Sequence, residues 1–341
     1  MKHQQWELKQ MQSLPLEIKV RMTQRRVAEW YDYWDGEVYL SFSGGKDSTV
    51  LKHIIDQMYD DVPSVFVNTG LEYPEIRKFA INHKNVVVVT PKMNFKDVLK
   101  TYGYPVISKE VAKCVYYARK SGEDNVHYKK LFGTLQHNGE KSRYCCDKYS
   151  YLYDAPFKIS ERCCSIMKKE PAHKYERKTG KKPIIATMAE ESLLREQAWK
   201  KSGCNAFDAK SPRSMPMAFW TEQDVLHYLN KYNVPYCSVY GKIQIQSDPE
   251  EIDGQINIAD YLGIRSNDLL EMSEVDRTGC VFCMFGCHLE KEPNRFQRLK
   301  KTHPKQYDYC ISGGHYVDGV WQPSREGLGL SKVLDYIGVK Y

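Results

Sequence analysis

Two groups of residues in this chain have types and spacings that suit chemistry. The first is Ser43-Gly44-Gly45-Lys46-Asp47-Ser48. Directly behind an apolar stretch, such a run turns a strand into a helix, and the turn aims several backbone N–H groups at one point, where the helix dipole adds to an anion-binding nest. Gly44 and Gly45 allow positive φ and close backbone approach, Ser43 and Ser48 offer hydroxyl donors, and Lys46 supplies a point charge. The guest this favours is phosphate. Asp47 is placed to cap the helix or to help hold a magnesium ion, so Lys46 and Asp47 are the catalytic candidates. The spacing is not that of the P-loop, which needs four residues between its first Gly and its Gly-Lys.

The second group is Cys163-Cys164 with Cys280-Val281-Phe282-Cys283. Four thiolates have the number and softness for a four-iron cluster, and C-x-x-C lets two of them point at one centre. A four-cysteine zinc site is the alternative. Cys145-Cys146 and Cys287 stand within reach of replacing one of the four. Cys114, Cys204, Cys237 and Cys310 have no pattern around them and read as small buried core residues.

The elements that must position these groups follow from periodicity. Apolar positions from Leu16 to Trp34 recur at helical spacing, and Asp35-Gly36 ends that helix. Residues 37–42 read as a strand, 49–55 as a helix, 64–68 as a second strand, 73–81 as a helix and 85–90, with four consecutive valines, as a third strand. Residues 183–187 read as a later strand. Strands alternating with helices predict an α/β fold whose parallel, twisted sheet carries helices on both faces.

Residues 101–160 show no clear periodicity and read as an insertion or lid above the sheet. Thr221, with Asp224 three residues on, caps a helix to about residue 230. Residues 241–278 read as another insertion, 295–310 as a basic, aromatic helix and 330–341 as a closing helix. The division expected is an N-terminal helical segment (1–35), a nucleotide-binding α/β domain (36–240) and a cysteine-bearing C-terminal region (241–341).

The 341 residues, 42% apolar and 27% charged, suffice for a sizeable core and give no sign of disorder. No apolar run reaches the roughly 18 to 20 residues that cross a bilayer, and the first residues lack the apolar core of a signal peptide. The expectation is a cytoplasmic protein without membrane contact, in which 11 cysteines serve metal or redox chemistry rather than disulfides. The net charge of +7 suits either a nucleic-acid surface or local sites for phosphates and sulfates.

The loop resembles the SGGxDS loop of N-type ATP pyrophosphatases, which cleave ATP between the α and β phosphates. Other segments resemble the phosphoadenosine phosphosulfate (PAPS) reductase family. Val65 to Glu75 is similar to its DTG…ET segment, with Asn68 in place of Asp. Arg162 to Pro171 looks like its CC…K…P segment, and Ala186 to Arg195 like its TGxRxxES..R segment. Pro216 to Tyr236, containing Trp220-Thr221-Glu222-Gln223-Asp224-Val225, looks like its P…WTxxDV…Y segment.

The resemblance runs from about residue 38 to 290. It implies an adenine nucleotide alpha hydrolase-like fold, with ATP or a sulfonucleotide held by Ser41, Ser43, Gly44, Gly45, Lys46, Asp47 and Ser48. The second strand's end (Asn68, Thr69, Gly70) and Glu191, Ser192 and Arg195 complete that set. It also implies a 4Fe-4S cluster on Cys163, Cys164, Cys280 and Cys283, as in the adenylyl-sulfate reductase branch.

Three departures turn the reading away from a reductase. The family's C-terminal ECGxH cysteine, which attacks the sulfur of the bound sulfonucleotide, is absent, since no cysteine follows Cys310. The loop is the complete form used by members that cleave ATP. Met188-Ala189 stand where an arginine would meet sulfate or phosphate. The expectation is therefore adenylation by ATP and magnesium coupled to sulfur transfer, as in relatives that thiolate tRNA or phosphorothioate DNA.

Sulfur would come from a persulfide or through the cluster, delivered by a donor or redoxin protein. A nucleic-acid acceptor would meet the Lys/Tyr-rich segments 115–130 and 295–309. The alternatives are a sulfonucleotide reductase using Cys310 or Cys287 as nucleophile, and a nucleotide-binding subunit that needs a partner for catalysis.

Overall fold

Short runs of β-branched and aromatic residues behind helix stop signals build the large sheet. In the computed structural model, which describes residues 3–246 and 269–341, its strands are numbered along the chain. They are β1 (Val38–Ser41), β2 (Ser64–Val67), β3 (Val86–Val89), β4 (Lys182–Ile185), β5 (Asn205–Ala206) and β6 (Arg213–Ser214). The spatial order is β3-β2-β1-β4-β6-β5. All neighbours run parallel except β5, which lies antiparallel to β6 at one edge.

The register seats Leu40 beside Ser64 and Ile184. Chain order moves outward from β1 to β3 and then returns to the other side of β1. With right-handed crossovers, that reversal puts helices on both faces and makes the carboxyl ends of β1 and β4 the topological switch point, where open α/β sheets bind ligands. The α/β class expected from the sequence is the one observed.

Two compact units are formed. The first comprises Met1–Val67, Tyr73–Val89 and Ala172–Thr278, and the second Asn68–Glu72, Thr90–Pro171 and Gly279–Tyr341. The core of the first unit gathers Val38, Leu40 and Phe42 from the sheet with Val50, Leu51, Ile54 and Ile55 from the helix Lys46–Asp56. Trp30 of the helix Leu16–Tyr33 and Trp220 join them. Trp220 Nε1 donates to Thr23 Oγ1 at 2.8 Å, and Lys19 Nζ donates to Asp224 Oδ2 at 2.7 Å. Asp224 also accepts from the Thr221 N–H in the capping box of the helix Glu222–Lys231, so most of the Trp220 to Val225 motif is structural.

In the second unit, residues 101–160 are more regular than their composition predicts. Ser108 caps a helix, Lys109–Ser121, which stops at Gly122. Its buried stripe is Val111, Ala112, Cys114, Val115 and Ala118. Small residues set among tyrosines and lysines hide the apolar period. Arg119 then donates to the carbonyls of Leu152, Tyr153, Ala155 and Phe157, fixing the 3-10 segment Asp147–Asp154 by tertiary contact.

The single helix expected over 295–310 is two, Arg295–Thr302 and Pro304–Ile311. Pro304 offers no N–H to the helix and keeps His303 (φ −135°, ψ 63°) out of helical conformation. The closing helix spans Leu330–Tyr336. Of the second expected insertion, Ile243–Ile245 and Leu270–Met272 pair antiparallel, and residues 247–268 lie outside the described residues.

Candidate functional site

At the carboxyl end of β1 the chain leaves Ser41, passes through Ser43–Gly45 and enters the helix Lys46–Asp56. Gly44 has φ +73°, and a Cβ there would stand 3.1 Å from both the Ile76 carbonyl oxygen and the Ala80 Cβ. Only glycine fits that close, left-handed position. The turn is cross-braced. The Ser43 N–H donates to Ser48 Oγ at 3.2 Å, the Gly45 N–H donates to Ser43 Oγ at 3.3 Å, and the Ser48 hydroxyl donates to the Gly45 carbonyl at 2.9 Å. The Lys46 N–H, one of the helix's orphan donors, reaches the hydroxyl of Tyr240 at 3.1 Å, and that hydroxyl also bonds Thr278 at 2.7 Å.

The side chain of Lys46 is 3% exposed, with Nζ donating to the Asp276 carbonyl at 2.7 Å and paired with Glu222 at 3.0 Å. Asp47 Oδ1 is sealed from water and accepts no hydrogen bond, while Lys46 Nζ stands 3.7 Å away and the rest of the Asp47 side chain keeps 27% exposure. Burial pushes the Asp47 carboxyl above the usual carboxylate range, against the pull of Lys46. Glu190, whose carboxylate accepts from the Glu222 N–H, is likewise raised by burial and then by the nearby Glu222 charge.

The segment after β4 supplies the remaining members. Glu191 accepts from the Met188 N–H at 3.0 Å, pairs with Arg195 one helical turn on, and lies 3.7 Å from Arg277. Ser192 caps the helix Leu193–Ser202, so its hydroxyl is already engaged by the Arg195 N–H at 3.3 Å. The unit thus gathers Lys46, Arg195 and Arg277 around carboxylates at a helix N-terminus, an arrangement that can hold polyphosphate and a hard divalent cation.

Met188 and Ala189, which stand where the family's pattern has an arginine, are buried at 1% and 2% exposure, whereas Arg277 brings a guanidinium to Asp47 and Glu191 from a distant segment. Sequence reasoning missed Arg277, Tyr240 and Thr278 altogether. Glu222 was quoted only as part of a motif. The one signal for it was its place in the first turn behind the Thr221 cap.

Asn68, Thr69 and Gly70 fall in the second unit. Thr69 donates through its hydroxyl to Glu72 at 2.6 Å, and Gly70 turns the chain at φ +74° with open space where a side chain would point.

That unit also holds the cysteine group. Cys163, Cys164, Met167 and Lys168 recur on one face of a helix that passes from α (Arg162–Cys164) to π geometry (Ser165–Lys169). Together with Cys280, Cys283, Leu71, Phe95 and Pro105 they line one small pocket. The Cys163 and Cys164 sulfurs are 4.0 Å apart. The C-x-x-C turn is held by the Cys283 N–H to Cys280 carbonyl bond at 3.0 Å and by Val281 bonding the Leu71 carbonyl at 2.8 Å. Met284 pairs with Val106, and Arg295 donates to the Cys283 carbonyl at 2.9 Å.

Cys164 is held below the usual thiol range by the hydrogen bond from Cys163 and by Lys109, Lys168 and Lys169. Burial pushes Cys280 up to about 11. The Lys168 ammonium is raised above its usual range by the Cys280 sulfur and the Glu72 carboxylate beside it, which outweigh partial desolvation. Four convergent sulfurs in an apolar pocket with one cation fit a four-iron cluster or a zinc ion.

Cys287, 1% exposed, donates to the Met284 carbonyl, and Cys145 turns to the Leu135 carbonyl; neither lines this pocket.

The fold is that of an α/β protein with a glycine-rich strand-to-helix turn at the switch point of its sheet. The phosphoadenosine phosphosulfate reductase domain matches residues 37–110 and 134–293, and the chain belongs to that family. A stretch of 69 residues, 19% of this chain, is 38% identical to the uncharacterized protein MJ0973 of Methanocaldococcus jannaschii, of which it spans 17%. Among solved structures the chain is similar to a PAPS reductase from Candida auris in its phosphate complex. That match has TM-score 0.34, 14% identity, and coverage of 70% of this chain and 91% of that one. It is also similar to the U34-tRNA thiolase NcsA of Methanococcus maripaludis with its [4Fe-4S] cluster, at TM-score 0.32, 13% identity, and coverage of 96% and 90%.

No helix among the described residues is long and apolar enough to cross a membrane.

The Asp47 oxygen that accepts no hydrogen bond has a measurable consequence. Asp47→Asn removes a poorly compensated charge from the loop, so the nucleotide-free protein gains about 1 kcal/mol. The sign follows from the raised carboxyl: its ionised form disfavours the folded state, so stability is fully present below the unfolded pKa and falls as pH rises through the folded one. Thermal melting at neutral pH against wild type checks this, with a lower midpoint for the variant as the contrary result.

Proposed function

We propose that the chain binds ATP with magnesium at the β1 loop and adenylates an oxygen of an acceptor, with release of pyrophosphate, in a reaction coupled to sulfur transfer. The observation that supports this most directly is the buried Lys46 ammonium 3.7 Å from an Asp47 oxygen that accepts no hydrogen bond, at the first turn of a helix lying on the switch point of the sheet. Loop amides and Lys46 take the phosphate oxygens, while Asp47, beside Glu222 and Glu190, offers oxygen ligands to the cation.

The acceptor oxygen attacks the α-phosphorus and gives up its proton. The bond to the β-phosphate oxygen breaks, and pyrophosphate leaves with the electron pair. In the second displacement, the terminal sulfur of a persulfide on a donor protein attacks the activated centre and AMP departs with the electron pair. A second thiolate of the donor then attacks the donor-side sulfur of the resulting disulfide, which closes a disulfide on the donor and releases the thiolated acceptor.

Cys163, Cys164, Cys280 and Cys283 hold a 4Fe-4S cluster, which when bound supplies an iron site for sulfur or electrons. Lys168 balances the thiolate charge beside it. An acceptor of nucleic-acid type agrees with the net charge of +7.

The reductase alternative needs a reactive thiolate from Cys287 or Cys310. Burial pushes both thiols up, Cys287 to about 12, and both are at most 1% exposed. The deciding experiment is anaerobic purification followed by a pyrophosphate-release assay with magnesium ATP, run beside a sulfite assay with both sulfonucleotides. Pyrophosphate without sulfite is expected. Sulfite without pyrophosphate overturns the proposal, and nucleotide binding with neither product identifies a subunit awaiting its partner.

A further inference from the structure

The segment first read as an irregular insertion carries a second set of metal-binding side chains, apart from the four cysteines above. Glu110 and Cys114 sit one turn apart on the helix Lys109–Ser121 and therefore on one face. His127 projects from the first turn of the helix Val126–Leu131, held in place because Asn125 Oδ1 accepts from its N–H at 2.8 Å. One ligand atom from each of Glu110, Cys114 and His127 lies within 4.8 Å of the others. The Cys114 sulfur is 3.8 Å from His127 Nδ1.

Cys146 is brought beside this group by its N–H, which donates to the Lys130 carbonyl at 2.9 Å, and its nearness raises the Cys114 thiol. The neighbouring Cys145 thiol turns away to the Leu135 carbonyl.

We infer that Cys114, His127, Cys146 and Glu110 form a closed, structural zinc site in the second unit. Tetrahedral zinc with ordinary Zn–S and Zn–N bond lengths sets sulfur and nitrogen about 3.5 Å apart, close to the separation already present. Two thiols, an imidazole and a carboxylate select zinc over the hard cations, which prefer all-oxygen sites. Two thiolates and a carboxylate around a dication leave one negative charge, and Lys130, whose Nζ is 2.7 Å from Glu110, balances it.

The placement also explains what such a site does. It ties together the helix Lys109–Ser121, the helix Val126–Leu131 and the chain following the small hairpin of Gln136–His137 with Glu140–Lys141. Residues 122–146 are mostly polar, and Leu131 is the one buried apolar side chain among 126–146, so packing alone anchors them weakly.

The test uses the full chain and reads metal content rather than turnover, so its outcome is independent of the proposed reaction. Wild-type protein purified anaerobically is expected to carry about one zinc per chain in addition to its iron. His127→Ala and Cys114→Ser are each expected to lose the zinc and keep the iron, while Cys280→Ser does the reverse. His127 is only half-buried, so its variant reports even where Cys114→Ser fails to fold.

As a second reading, cobalt(II) added to zinc-stripped wild type should give thiolate charge-transfer bands and the intense visible bands of a tetrahedral ion. Chelation of the zinc should open residues 122–146 to limited proteolysis. Wild-type protein that holds no zinc and gives no cobalt–thiolate bands overturns the proposal. So does unchanged zinc in both variants.

Discussion

Lys46→Ala is expected to lower nucleotide turnover by about 10²–10³-fold, the effect of removing one preorganised group that meets developing phosphate charge. The loss should lie mainly in kcat, because the lysine meets charge that grows as pyrophosphate separates, whereas ground-state binding keeps the loop amides. The fold should survive. The helix that begins at Lys46 is anchored by Val50, Leu51, Ile54 and Ile55, all at most 1% exposed, and Glu222, left without its partner, has a side chain 35% exposed to water. Steady-state pyrophosphate release, with circular dichroism and a nucleotide titration on the same preparation, checks this. Wild-type turnover in a folded Lys46→Ala protein would remove the loop from the chemistry.

Cys280→Ser is expected to take iron from about four atoms per chain to near none and to lower the yield of folded protein. Cys280 lies in the apolar pocket beside Cys164, Cys283 and Lys168, and a serine hydroxyl is a poor ligand for iron. Loss of the Cys280 sulfur would also take from Lys168 a neighbour that favours its charge. Iron and sulfide analysis after anaerobic purification reads the result. Full iron content in the variant would take Cys280 out of the ligand set and direct attention to the other cysteines.

These expectations rest on features that differ in how openly the sequence displays them. The strand-to-helix turn was legible because a tight turn into a helix N-terminus is a local backbone feature, which Gly44, Gly45 and Lys46 announce. The alternation of strands and helices was legible for the same reason, and so was the Thr221–Asp224 cap, which the structure shows as a capping box. The helix over residues 109–121 was not, since its buried face of Ala, Cys and Val is too small to stand out among tyrosines and lysines. The break at His303-Pro304 lay in plain view, yet the basic, aromatic periodicity on either side masked it.

The sequence by itself determined the α/β class, the glycine-rich turn with Lys46 and Asp47, and the cysteine pairs, because each is written in a few adjacent residues whose geometry the backbone imposes. Only the tertiary structure decided what surrounds them. Glu222, Arg277 and Tyr240 reach the loop through strand order and helix docking, and Glu110, Cys114 and His127 meet because separate helices pack together. Side chains that converge from distant parts of a chain leave no local period or spacing, since what brings them together is the burial of other residues.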